Sequence, residues 1–180
     1  MEFQEVKGDK WYRMLHPKVA FLLLTRDSSG KVNVMTLAWA MPIDDEEKFL
    51  AISVWKGNYS FEILKETREF VLCIPTKEML HEVWFCGTKS GREVDKVAEL
   101  ELELEESVKI SVPHLKNCAG FLECKVEREI ECGEHVLFIS RVVYAGVKET
   151  LFDETWKENS RVLMHVGGKK FTILEKCFSE

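Results

Sequence analysis

The chain contains no apolar run near the roughly 18 residues that a helical bilayer span needs, so no transmembrane helix is expected in it. Its first residues, MEFQEVKGDK, show no apolar h-region, and the expected location is the cytoplasm. Positive charge is also in short supply: 25 Lys and Arg stand against 31 Asp and Glu, for a formal net charge of −6. With no basic stripe and no cationic amphipathic helix, neither nucleic acid nor an anionic membrane is expected as a main partner. Any cation that matters must act locally.

Other absences narrow the chemistry. Cys73, Cys86, Cys118, Cys124, Cys132 and Cys177 form no C-x-x-C pair and no cluster with histidines, so no metal site is expected. They read as reduced thiols used as small apolar side chains. No G-x-G-x-x-G follows a strand, which argues against a Rossmann nucleotide domain. No repeat, low-complexity tract or Pro-rich linker divides the 180 residues, a length that suits one substantial core and is short for two. The expectation is one domain over residues 1–180.

What is present is a succession of strands. Val19 to Thr25 is apolar, Asp27-Ser28-Ser29-Gly30 is turn chemistry, and Val32 to Met41 resumes extended. Phe49 to Trp55 is another strand, Ser60 to Arg68 a short helix with Phe61 and Leu64 on one side, Phe70 to Ile74 a strand, and Lys77 to Phe85 a helix. Between Phe121 and Cys132 the residues alternate. Leu122, Cys124, Val126, Ile130 and Cys132 share one face, broken by Arg128, while Glu123, Lys125, Glu127, Glu129 and Glu131 share the other, predicted to be solvated. Gly133 turns the chain into a partner strand from His135 to about Val147, and Gly167-Gly168 marks a last hairpin within 147–180. The acidic run Glu99 to Glu106 reads as a solvated face. Antiparallel strands with helices in the connections fit a small barrel or sandwich, and closure into a barrel removes exposed edges.

The densest chemistry lies in Val83 to Lys96, VWFCGTKSGREVDK. Ser90-x-x-Glu93 has the form of a capping box and predicts a helix starting at Gly91. A helix start offers free amides and a positive dipole end, and Lys89 and Lys96, read as exposed, add charge, so the segment suits a phosphate. The same residues also fit a capped surface helix beside a glycine turn.

CGTKSGREVDK from Cys86 resembles the most recognisable segment of the flavin reductase-like family, FMN-binding split-barrel proteins that include flavoredoxins and ferric-reducing relatives. The resemblance continues in order through NVMTLAWAMPI (from Asn33), AISVWKGNYS (from Ala51), ETREFVLCIP (from Glu66), FLECKV (from Phe121) and GEHVLFISRVV (from Gly133), a core of about residues 17–146. It implies a mainly β fold, a six-stranded antiparallel Greek-key split β-barrel with helices in the connections. It also implies a homodimer with FMN near the subunit interface, and electron transfer from NADH or NADPH to a flavin, ferric chelate or redox-protein acceptor. The alternative is a flavin-binding electron carrier without NAD(P)H activity of its own.

The resemblance places cofactor contacts at Asn33, Met35, Thr36, Ala38 and Trp39, then at Ser53, Val54 and Trp55 beside the ring. Asn58, Tyr59 and Ser60 would meet phosphate at a second helix start, with Cys86, Gly87, Thr88, Lys89, Ser90, Gly91, Asp95 and Lys96 opposite. His135 would lie near the flavin or the entering nicotinamide. Each position has a plainer reading: Asn33 as a routine strand residue, Asn58 or Ser60 as an N-cap, His135 as a solvated strand end, and Cys86 as packing rather than a redox thiol. Asn33 and Thr36, three apart, should point to opposite faces of a regular strand, so both can meet one ligand only if the strand bends or bulges. Many relatives carry a cation where this chain has Asn58; either Lys56 replaces it or the phosphate charge falls mainly to Lys89 and Lys96. His16-Pro17 is placed to border a pocket. No residue is assigned as a catalytic acid or base, since hydride passes between ring carbons.

Overall fold

In the computed structural model, residues 2–177 are described; Met1 and residues 178–180, the ends of the expected domain, lie outside the described residues. A 3-10 segment, Gly8–Leu15, leads into β1 (Lys18–Val19), β2 (Phe21–Arg26), β3 (Val32–Leu37), β4 (Ala40–Asp44) and β5 (Phe49–Trp55). Then come α1 (Tyr59–Thr67), β6 (Glu69–Ile74), α2 (Leu80–Thr88), α3 (Lys96–Glu99), β7 (Leu104–Glu105) and β8 (His114–Leu115). The long β9 (Gly120–Cys132) and β10 (His135–Val147) precede β11 (Phe152–Asp153), β12 (Thr155–Trp156), β13 (Leu163–Gly167) and β14 (Lys170–Ile173). No described helix is long and apolar enough to cross a membrane.

Seven strands form one antiparallel sheet in the order β3-β2-β6-β9-β10-β5-β4. Its two outermost strands are consecutive in sequence, separated only by Ala38 and Trp39, so the broken strand joins the two edges and the sheet closes into a split barrel. The expected six strands become seven because Val32 to Met41 is interrupted there, with β3 pairing with β2 and β4 with β5. The expected final hairpin, β13 and β14, is joined by β1 in a separate three-stranded sheet.

Two apolar layers account for the strand patterns. Leu23, Leu50, Ile52, Val54, Phe70, Leu72, Cys124, Val136 and Phe138 fill the barrel. Leu22, Leu24, Val71 and Cys73 face outward under α2, Val112, Leu115 and Leu163. The central strands β2 and β6 are therefore covered on both faces and read as continuous apolar runs, whereas β5 buries Leu50 to Ile52 in succession and opens only toward its end, at Ser53 and Trp55. Fully burying Phe70 or Phe138 is worth about 1.5–3 kcal/mol.

Strand β9 departs from the simple alternation in two ways. The register pairs Ser140 with Val126 but Ile139 with Arg128, so Glu127 is an extra residue, a bulge that reverses which side chains face inward. That accounts for Arg128, and it leaves Ile130 and Cys132 exposed instead of inward. Glu123, expected in solvent, is fully buried beneath the outer layer, where its carboxylate accepts the amides of Val108 and Lys109, each at 2.7 Å.

Candidate functional site

The barrel's split opens a cleft between the β3–β4 break, the N-terminus of α1, the C-terminal end of α2 and the β13–β14 hairpin. One compartment, about 500 Å³, is lined by Met35, Thr36, Ala38, Trp39, Ser53, Trp55 and His135, with Trp84 and Phe171 opposite. A second, about 350 Å³, is lined by Asn33, Tyr59, Ser60, Cys86, Lys89, Ser90, Gly91 and Lys96. Met35, Thr36, Trp55, Asn58, Gly87 and Thr88 line both, so the two are continuous. One end is aromatic and the other hydroxylic and cationic, the combination that a flat heteroaromatic ring bearing a phosphate tail requires.

The sequence candidates converge on this cleft with two exceptions. Val54 points into the barrel interior and is fully buried. Asp95 caps α3, its carboxylate accepting the Val97 and Ala98 amides at 3.2 Å each. That cap also corrects the expected helix start. Gly91 to Glu93 form a turn, in which Ser90 Oγ accepts the Arg92 amide at 3.3 Å, and the helix begins only at Lys96 and is four residues long.

The helix terminus that does meet the cleft belongs to α1. Asn58 occupies its N-cap position with extended backbone and makes no side-chain cap hydrogen bond, so its amide group stays available. Lys56 does not supply the missing cation, because its ammonium pairs with Glu131 at 3.1 Å and it lines neither compartment. Lys89 does line the polar compartment, is exposed, and meets no carboxylate among the described residues.

Lys96, read from sequence as exposed, is only 4% exposed. Its ammonium donates to the carbonyls of Val34 at 2.7 Å and Cys86 at 3.0 Å, and burial pulls its pKa below the ordinary lysine value. It clamps β3 to the end of α2 beneath the polar compartment. Burial pushes the Cys86 thiol up to about 11, so it is neutral near pH 7 and suited to packing rather than thiolate chemistry.

Asn33 and Thr36 both reach the cleft without any bulge, since β3 pairs with β2 in unbroken register. β3 is an edge strand, and a cleft that runs along the edge meets side chains from both faces. Asn33 Nδ2 donates to Ser60 Oγ at 2.8 Å, while the Thr36 hydroxyl donates to the Val83 carbonyl and faces the cleft as an acceptor. Two glycines make these approaches possible. A Cβ on Gly91 would stand 1.9 Å from Asn33 Oδ1, and one on Gly87 would stand 3.2 Å from the Thr36 Cβ.

At the aromatic end, Trp39 stacks on His135 with ring centroids 5.1 Å apart and meets Tyr12 edge-on at 5.5 Å. His16 borders this compartment and a smaller cavity of about 200 Å³ behind Trp39. Its Nδ1 donates to the His165 carbonyl at 2.9 Å, and its Nε2 is buried without a hydrogen-bond partner among the described residues. Trp84, His165, Gly168, Lys169 and Phe171 also line the wall. None of these five is among the contacts expected from the sequence, because α2 and the last hairpin become neighbours only in the folded chain. Among the described residues no group of His, Cys, Asp and Glu is placed to hold a metal ion.

Comparison with known proteins adds four findings. A family model described as the flavin reductase like domain matches residues 13–173. An uncharacterized protein of Archaeoglobus fulgidus is 35% identical over 159 residues, 88% of this chain and 89% of that one. Among solved structures, an FMN-binding protein from Thermus thermophilus with bound p-hydroxybenzaldehyde superposes with a TM-score of 0.87 at 21% identity, covering all of both chains. Flavoredoxin from Methanosarcina acetivorans gives 0.87 at 22% identity, over 99% of this chain and 95% of that one.

Proposed function

The chain belongs to the flavin reductase-like family, and on that premise we propose that it is an FMN-dependent oxidoreductase that passes electrons from NADH or NADPH to a flavin, ferric chelate or redox-protein acceptor. The observation that carries this reading is the continuous two-part cleft, whose aromatic and cationic ends suit the two ends of one FMN molecule. When bound, FMN supplies the hydride acceptance and electron transfer for which no side chain is competent.

The chain's own residues bind and orient. The first amides of α1, the Asn58 side chain, Ser90 and Lys89 hold the phosphate, through helix-terminus and charge-assisted hydrogen bonds. Gly87 and Gly91 keep the α2–α3 connection close enough to β3 to form the floor. Trp39, braced by His135 and Tyr12, walls the ring, and Trp55, 48% exposed, forms a lip against water. Exposed apolar side chains on β4 and the N-terminal segment, Met41, Ile43, Trp11, Met14 and Leu15, support a homodimer whose interface borders the site.

The decisive experiment is reconstitution of the purified protein with FMN, followed by anaerobic addition of each nucleotide. About one FMN per chain should survive desalting and bleach with a nicotinamide donor. A colourless protein after desalting overturns the reading; bound FMN that neither nucleotide bleaches leaves the electron-carrier alternative.

A further inference from the structure

A groove of about 630 Å³ runs over the outer face of the α2 and β13–β14 wall, lined by Leu80, Trp84, Val166, Lys169, Lys170 and Phe171. It is an extension of the ring compartment, since Trp84, Lys169 and Phe171 line both. Trp84 is 37% exposed, and Lys169 Nζ lies 5.8 Å from the centre of its ring, a cation–π contact. In a chain with a net charge of −6, neither Lys169 nor Lys170 forms an ion pair among the described residues. An aromatic face with two unneutralised ammonium groups is complementary to an adenine ring carrying phosphates.

The two lysines are not equivalent. Lys169 stands where the groove meets the ring compartment, whereas Lys170 lines only the groove. We propose that this groove receives the adenosine end of the electron donor and selects the phosphorylated dinucleotide, NADPH. Adenine lies on Trp84, the pyrophosphate passes Lys169, and the 2′-phosphate meets Lys170. The inference rests on the oxidoreductase reading and names its donor. A small nucleotide suits the groove better than an acidic protein, because the groove is concave, continues the ring compartment and orders its cations along one path.

The probes are 2′,5′-ADP and 5′-AMP, which differ only in the 2′-phosphate, titrated into FMN-loaded parent, Lys169→Ala and Lys170→Ala proteins beside steady-state rates with NADPH and NADH. The parent should bind 2′,5′-ADP about tenfold more tightly than 5′-AMP, as expected for one charge-assisted contact. Lys170→Ala should erase that difference and raise the KM for NADPH about tenfold, with kcat and the KM for NADH unchanged. Lys169→Ala should raise KM for both donors. Equal affinity of the parent for the two adenylates, or a Lys170→Ala protein that keeps its KM for NADPH or shifts both donors alike, overturns the proposal. So does an acidic protein that binds this face in a salt-sensitive manner while both adenylates are ignored. The FMN absorbance of the same samples separates the failures. Loss of FMN from the parent defeats the oxidoreductase reading, whereas retained FMN with indifferent adenylates defeats only the donor assignment.

Discussion

Replacing Lys89 with Ala should weaken FMN while leaving riboflavin, which lacks the phosphate, almost untouched. Lys89 lines the polar compartment and finds no carboxylate partner among the described residues, so its ammonium is available to an incoming phosphate. A hydrogen bond to a charged group contributes about 1.5–3 kcal/mol, and the exposure of Lys89 puts the expected loss at the lower end, about tenfold in Kd. The contact should be salt-sensitive, so added salt should weaken FMN binding more in the parent than in Lys89→Ala. Lys96→Met serves as the contrast. It leaves the Val34 and Cys86 carbonyls without their donor, at about 1–3 kcal/mol for each buried acceptor, and should lower the melting temperature and weaken FMN and riboflavin together. Fluorescence titration with both flavins reads the outcome. Unchanged FMN affinity in Lys89→Ala, or equal losses of FMN and riboflavin, would refute the anchor and shift the phosphate to the α1 terminus alone.

Gly91→Ala should displace Asn33 and break its bond to Ser60, because the new Cβ falls 1.9 Å from Asn33 Oδ1; FMN affinity should drop about tenfold, readable in the same titration. The carboxyl of Glu129 is held below the ordinary glutamate range by hydrogen bonds from Lys65 and Arg68. A depressed folded pKa means that its stabilisation is present above the unfolded value and fades as pH falls through the folded one. Melting temperatures of parent and Glu129→Gln should therefore differ near pH 7 and converge well below pH 4.5, and a constant gap would contradict the linkage. Light scattering should give a dimer mass, and Met41→Asp should shift it toward the monomer, since a charge would replace an apolar side chain that is 58% exposed on the face assigned to the interface.

Periodicity and turn chemistry were enough to locate most elements. Phe49–Trp55 and His135–Val147 have the expected bounds because a short apolar run and a Gly133 turn are local signals. Departures arose where local and tertiary demands conflict. Ser90-x-x-Glu93 has the residues of a capping box, yet that stretch turns instead, and Asp95 takes the cap five residues later. Glu123 belongs by alternation on a wet face, but the 108–109 segment covers it with two amide donors that no nearby residue announces. The bulge at Glu127 shifts the phase of β9, a matter of pairing with β10 rather than of either strand's composition.

The candidate site divides in the same way. The sequence by itself determined which segments carry glycine, hydroxyl and lysine chemistry, because those properties reside in side chains and short spacings. Only the tertiary structure decided what each residue does there. Lys96 is buried as a clamp while Lys89 stays free, Asn33 and Thr36 meet one cleft because β3 is an edge strand, and Trp84 joins Lys169 across a wall built from distant parts of the chain. Burial, edge position and long-range contact depend on how remote segments pack against one another, and a local pattern of residues does not encode them.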